Sequence, residues 1–501
     1  MSEEKLAQLK TIVAEIADLT YAAALLGWDQ QVNMPPGGAE GRGYQLATLQ
    51  TLAHDKITAP ETGQLLDDLK DYAVQLDPDS DDARYIKVAR RQYDKQTKVP
   101  GEWIAEFAQV TSMAHQVWAQ ARAENNFALF QPSLEHIMDL RRHYADFFAP
   151  YDHVYDPLLD DFEPGLKTAD VKAIFNALRP QQVELIKAIT ARPQVENSFL
   201  YLPYDEQKQW DFGVEVITKM GHDWNRSRQD KAAHPFTTNF GPGDVRITTR
   251  IYPEYIGTGL FGTLHESGHA SYELGVDRRF DRGALAGGAS LAVHESQSRM
   301  WENLVGRSYP FWQHFYPRLQ EYFPSQLGNV SLDAFYKGIN KVQPSLIRVE
   351  ADEATYNLHI MLRLELEIAL MEGTVAVKDL PEAWNTRFQE YLGITPPDNA
   401  KGVLQDVHWS SGYIGYFSTY ALGNLISAQI WERLNADIPD LPEQIRRGEF
   451  SNWLGWLRSH IHCHGSKYEP QELVQMVTGS KIDPAPYMRY LTQKYSGIYG
   501  F

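Results

Sequence analysis

Residues 261–270 read FGTLHESGHA. Within them His265-Glu266-Ser267-Gly268-His269 has the form H-E-x-x-H, a spacing that predicts a helix presenting both imidazoles on one side. The two histidines stand about one turn apart, so a single helix face aims two ring nitrogens at one ion. Glu266 is rotated by about 100° from His265. That keeps it off the ligand set and lets it reach the water such an ion carries. Phe261, Leu264 and Ala270 mark the helix as partly buried, where a His-Glu-His cluster without a metal would be hard to satisfy.

A catalytic zinc takes three protein ligands and keeps one position open. The extended H-E-x-x-H-x-x-G-x-x-H pattern is absent, because Tyr272 and Gly275 occupy the places of its glycine and last histidine. The third ligand is therefore expected to be a carboxylate, from Glu273, Asp277, Glu295 or Glu302. Glu295, in His294-Glu295-Ser296, is the first choice. It follows GALAGGAS (283–290), a run of small residues that can return the chain toward the first helix. Glu273 would have to reach past His269. His294 reads as a packing residue or a support behind the ligands.

Outward from this centre, helical periodicity dominates. Leu6, Leu9, Ile12, Val13, Ile16 and Leu19 fall at spacings of three and four, the mark of an amphipathic helix. Similar patterns recur around 102–122, 134–147, 169–190, 355–371 and 419–434. Pro and Gly punctuate them at MPPGG (34–38), FEPG (162–165) and GPGD (241–244). Strand-like alternation is confined to about 235–252, where FTTNF and VRITTRIY flank GPGD as a candidate turn. The expectation is a mainly α protein with a small β-sheet just before the metal-binding helix. No linker is long enough to separate domains, so residues 1–501 are read as one large helical unit, with helices in about 1–100 as a covering subdomain.

The chain has 501 residues and 43% hydrophobic composition, ample for a large core. Its 47 Lys and Arg stand against 65 Asp and Glu, a formal net charge of −18. That balance argues against a nucleic-acid or anionic-membrane partner. Cys463 is the only cysteine, so no intrachain disulfide is possible. The opening MSEEKLAQLK has no basic region followed by an apolar stretch, and no run approaches the ~18 apolar residues that span a bilayer. A cytoplasmic protein is expected. His460, His462, Cys463 and His464 lie close together, but a second metal site would need a fourth well-placed ligand. A polar helix end is the reading there.

Six ordered motifs then carry a resemblance: His234-Pro235-Phe236, Asp244-Val245-Arg246-Ile247-Thr248, the two strings above, IRVEAD (347–352) and GVLQDVHW (402–409). With LGWDQQVNMPPGG near the start and IHCHGSKYEPQEL near the end, the chain resembles the carboxypeptidase Taq family of zinc metallocarboxypeptidases over nearly its full length. The resemblance implies a mostly helical metallopeptidase domain with a deep groove. It carries the zinc ligands to His265, His269 and Glu295, and the general base to Glu266. It further implies release of single C-terminal residues from peptides with broad specificity and proline disfavoured, cobalt able to replace zinc, and a homodimer. A zinc oligoendopeptidase or dipeptidyl carboxypeptidase is the alternative.

By looser analogy with helical peptidyl dipeptidases, Tyr416 in HWSSGYIGYF would donate to the oxyanion and His408 would contact substrate backbone, with Tyr413 the alternative donor. A carboxypeptidase also needs a group for the terminal carboxylate, and the planar fork of Arg suits it. Arg348 is the first choice and Arg246 the second, although Glu350, Asp352 and Glu353 could hold Arg348 in a structural ion pair. His234 could hydrogen-bond substrate backbone beside the sheet, and Gln405 and Asp406 could orient neighbours.

Overall fold

The helix Tyr356–Glu372 is buried along all of its length except Glu365 and Glu372. It was expected to be amphipathic, yet Arg363 and Glu367 have no exposure. A helix apolar on every side belongs in the middle of a large protein, and its few charged residues must find partners there. A computed structural model describes residues 2–501, and its architecture is mainly α. Ser418–Asp437 is a second helix buried through most of its length, and it packs on the short helix Leu291–Arg299 that carries Glu295.

The expected helices are all present, as Ser2–Val32, Gly101–Ala123, Phe127–Asp146, Thr168–Thr190, Tyr356–Glu372 and Ser418–Asp437. The third begins seven residues before the expected 134, because Phe127 and Phe130 are buried on the far side of Pro132. The sheet has three strands in the order β1 (Ser227–Lys231), β3 (Val245–Thr249), β2 (Thr237–Asn239). β2 and β3 are antiparallel across the GPGD turn, as the alternation predicts. β1 pairs with β3 in parallel and was not expected. Its sequence, SRQDK, carries no apolar alternation, so only the packed partner makes it a strand.

Two hydrophobic clusters form. The larger runs from Val99 to Tyr499 and encloses the helix that carries His265 and His269. The smaller joins Leu6, Leu9, Leu66, Leu69, Tyr85, Ile86 and Ala89 to Val276, Phe280, Ala284 and Leu285. The N-terminal helices Ser2–Val32 and Ala39–Thr58 pack mostly on each other, and the second buries no residue fully. The end of the first reaches the sheet, where Trp28 stacks on Arg246, 4.3 Å from ring centre to guanidinium carbon. No helix among the described residues is long and apolar enough to cross a membrane.

The histidine helix, Ile256–Gly275, meets the glutamate helix, Leu291–Arg299, at Gly268. A Cβ on Gly268 would lie 2.6 Å from the Ser298 Cα and 2.8 Å from the Gln297 carbonyl oxygen. Both are backbone atoms and cannot swing away. Gly268→Ala should therefore destabilise the protein by about 1–3 kcal/mol, read from the midpoint of guanidinium unfolding. An unchanged midpoint would mean that the two helices separate freely.

Candidate metal and active site

The histidine helix and the glutamate helix cross so that three side chains converge. His265 Nε2 and His269 Nε2 lie 3.8 and 3.7 Å from Glu295 Oε2. The two imidazole rings stand nearly perpendicular, with centres 4.9 Å apart. One donor atom from each residue falls within 4.8 Å of the others, and among the described residues this is the one such His/Cys/Asp/Glu group. A tetrahedral zinc with bonds near 2 Å spaces its ligand atoms about 3.3 Å apart, about half an ångström less than the distances from Glu295 Oε2 to the two histidines. Two imidazoles and a carboxylate also suit zinc chemically.

Each ligand is gripped from behind. His265 Nδ1 bonds Glu302 Oε2 at 2.9 Å. His269 Nδ1 meets His294 Nδ1 at 3.3 Å, and His294 Nε2 bonds Glu273 Oε1 at 2.5 Å. Arg299 donates from Nε to Glu295 Oε1 at 2.6 Å and from Nη1 to Glu302 Oε2 at 3.1 Å. The Arg299 bond occupies one oxygen of Glu295 and leaves the other facing the histidines. Outer partners of this kind fix ring orientation and keep the inward nitrogen available. Of the carboxylates left open by the sequence, Glu302 and Glu273 thus stand behind the histidines. Asp277 instead accepts from the Arg279 backbone N–H at 3.0 Å.

The electrostatics follow. Burial works to raise the Glu302 carboxyl, but Arg299 and His265 outweigh it and hold it well below the usual carboxylate range. Burial, with the charges of His265 and His294, pushes His269 well below the ordinary imidazole value. Burial pushes Glu266 up. Three carboxylates, Glu266, Glu295 and Glu302, thus surround a point where Arg299 is the near cation, and the field favours a divalent ion. Glu266 accepts a bond of 2.6 Å from the Thr237 hydroxyl, so strand β2 fixes its carboxylate.

A second group of side chains lies beside the first. Arg299 sits over the Tyr356 ring at 4.6 Å, and the Tyr356 hydroxyl accepts from Arg348 Nη1 at 3.1 Å. Arg348 Nε and Nη2 each donate to Asp406 at 3.0 Å. Asp406 also binds Arg363, and the two guanidiniums hold it far below the usual carboxylate range despite its burial. His408 Nδ1 lies 4.0 Å from Asp406. Burial, then Arg348, lower its imidazole to about 4. Its ring is 5.5 Å from that of Tyr416, which packs edge-on to Phe162 at 5.2 Å. Burial raises the Tyr416 phenol.

Gln405 accepts from the Arg348 backbone N–H at 2.9 Å and from Arg363. Tyr413 is half exposed, 5.9 Å from Tyr416. Arg246 chelates Asp244 at 3.0 and 2.8 Å between Trp28 and Phe240. His234 is exposed ahead of β2. The His460–His464 segment does not join a metal group: His462 is buried and bonds Gln297 Oε1 at 2.9 Å. Sequence reasoning missed Arg299, Thr237 and Tyr356. The i, i+4 spacing of Glu295 and Arg299 was the available signal for the first, whereas nothing local pairs Thr237 with Glu266.

The chain matches the family model of the carboxypeptidase Taq (M32) metallopeptidases over residues 8–495. It is 42% identical over 498 residues to thermostable carboxypeptidase 1 of Thermus thermophilus, covering 97% of each chain. With carboxypeptidase 1 of Bacillus subtilis the identity is 36% over 489 residues, again 97% of each. Among solved structures, it superposes on the M32 carboxypeptidase of Deinococcus radiodurans with a TM-score of 0.97 at 39% identity, over 99% of this chain and 100% of that one. For Trypanosoma cruzi metallocarboxypeptidase 1 the TM-score is 0.94 at 32% identity, over 98% and 99%.

The grip of Glu302 on His265 is directly testable. Glu302→Gln should weaken zinc affinity by roughly 10- to 100-fold, measured by competition with a chelator of known affinity. Wild-type affinity in a folded variant would show that the carboxylate contributes nothing to the ligand set.

Proposed function

The chain belongs to the carboxypeptidase Taq (M32) metallopeptidase family, and from that premise we propose that it removes single residues from the free C-termini of peptides, with broad side-chain tolerance and with proline disfavoured. It is a metallocarboxypeptidase, a peptide hydrolase. The observation that carries the proposal is the convergence of His265, His269 and Glu295 beside a second, differently held carboxylate, Glu266. We assign the ion as zinc, with cobalt able to substitute; when bound it polarises the scissile carbonyl and acidifies the attacking water. The working form proposed is a cytoplasmic homodimer acting on peptides, a reading supported by the family resemblance.

The residues divide the work. Glu266 is the proposed general base: it takes a proton from the attacking water and returns it to the leaving nitrogen. Its bond from Thr237 engages Oε2 and leaves Oε1 for that transfer. Tyr416 is the proposed oxyanion donor, and its raised phenol keeps the proton that a donor needs. Tyr413 is the alternative. His408, neutral above about 4, is suited to hydrogen-bond substrate backbone without a charge to desolvate. His234 is proposed as a further backbone contact at the sheet.

Arg348 is the first choice for the substrate carboxylate. Asp406 and Tyr356 take three of its donors, and a guanidinium carries five, so two remain for a ligand while the ring of partners prevents rotation. Arg246 is the second choice, with Nε and Nη2 committed to Asp244.

Glu266→Gln should keep its zinc and its fold, because the amide oxygen still accepts from Thr237, and should lose about 10²–10⁴ in kcat. Metal analysis and turnover on a blocked dipeptide decide this, and loss of zinc would make Glu266 structural. Peptides amidated at the C-terminus should be cut far more slowly than free acids. Arg348→Ala should raise KM for free acids with little effect on amides. Equal cutting of both peptides by the wild type would end the carboxylate-recognition argument.

A further inference from the structure

His408, Tyr413 and Tyr416 stand on a segment with little regular structure. A single 3-10 turn, His408–Ser411, is followed by irregular chain up to the helix Ser418–Asp437. Gly412 and Gly415 have φ of +71° and +99°, conformations that side chains resist. A Cβ on Gly415 would also lie 2.5 Å from the Leu158 carbonyl oxygen. Such a segment needs external fixation to hold two functional side chains steady.

That fixation comes largely from one carboxylate in the core. Glu367, on the buried helix Tyr356–Glu372, has no exposure. Its Oε1 accepts from the Trp409 indole N–H at 2.8 Å. Its Oε2 accepts from the Gly415 backbone N–H at 3.0 Å and from the Tyr155 hydroxyl at 2.5 Å. Trp409 follows His408 directly, and Gly415 directly precedes Tyr416. Midway between them, Arg141 donates to the Gly412 carbonyl at 2.7 Å.

We propose that Glu367 is a positioning residue for the reaction, acting through His408 and Tyr416 by tying both ends of their segment to the core helix. The inference rests on the roles given to His408 and Tyr416 above. Its chemistry requires a carboxylate. The indole and the backbone amide can only donate, and they approach different oxygens, so an amide would set its own N–H₂ against one of them. Burial pushes the Glu367 carboxyl up to about 7, with its donors pulling the other way. An apolar residue there would leave the Trp409 indole, the Gly415 amide and the Tyr155 hydroxyl without this acceptor.

The test uses the zinc-loaded enzyme and a free-acid peptide. Glu367→Gln should bind zinc normally and lose about 10- to 100-fold in kcat, since a displacement near 1 Å at a reacting centre costs on that order. Combined with Tyr416→Phe or with His408→Ala, it should cost a smaller factor than in the wild-type background, because one of the two groups it positions is already gone, and less than about threefold when both are replaced. A merely structural role would give the same fold-loss in every background. Trp409→Phe, which removes one donor and keeps the carboxylate, serves if Glu367→Gln does not fold, and should show the same non-additivity. Equal losses in all backgrounds, or wild-type kcat in a folded, zinc-replete variant, would overturn the inference. If Tyr416→Phe alone keeps wild-type kcat, the role given to Tyr416 falls, and the His408 arm decides the inference.

Discussion

The approach of two backbones at Gly268 and Ser298 is the constraint on which the centre depends. Two histidines on one helix are only half a metal site, and the third ligand must come from another element. Glu295 is a short side chain, so its helix has to pass within van der Waals contact of the first. A second contact of the same kind lies on its other flank: a Cβ on Gly423 would stand 2.6 Å from the Cβ of Glu295. The glutamate helix is thus wedged between two glycines, and its register cannot slip by one residue without turning Glu295 away. Close packing of this kind is discrete rather than elastic, which is how a fold turns apolar burial into a ligand geometry.

Packing alone would leave like charges facing each other. Glu266, Glu295 and Glu302 are each poorly exposed, and their repulsion is met by Arg299, by Arg307 at 3.5 Å from Glu302 and by the histidines. The glutamate helix runs on into a π-helical turn, Met300–Val305, that carries Glu302. Wider turns of this type often mark functional sites because they re-aim side chains. Here the turn lets one continuous stretch supply a ligand, its arginine partner and the support of the opposite histidine. A divalent cation held by the set would offset more of the cost of this buried negative charge.

The parts of this structure that depend on spacing were legible in the sequence. H-E-x-x-H gives the histidine helix and the separation of Glu266 from the ligands, while GPGD gives the turn between β2 and β3. What depends on encounters between distant segments was not. SRQDK becomes β1 only because β3 lies beside it. Gly268 reads as the x of a motif, and its necessity appears only when Ser298 arrives. Arg363 and Glu367 read as the polar side of an amphipathic helix, but both are buried. Their partners, Asp406, Tyr155, Trp409 and Gly415, lie 42 to 212 residues away in sequence. A periodicity cannot distinguish a charge that faces water from one that faces another segment.

The two halves of the site are consequently built by different physics. The proposed metal ligands ride on helices whose positions are set by glycine contacts, so their precision comes from volume. His408, Tyr416 and Arg348 ride on irregular chain and are held by buried carboxylates, Glu367 for the first pair and Asp406 for the arginine. Buried carboxyl anchors make directional bonds but demand a full set of partners, so each fixes several groups at once. Asp406 joins Arg348, Arg363 and the neighbourhood of His408, and a change in any one is felt by the others. A helix cannot present so many separate groups to one point from a single face. Short irregular segments can, provided the core supplies acceptors to hold them, and that is the use this fold makes of its buried acids.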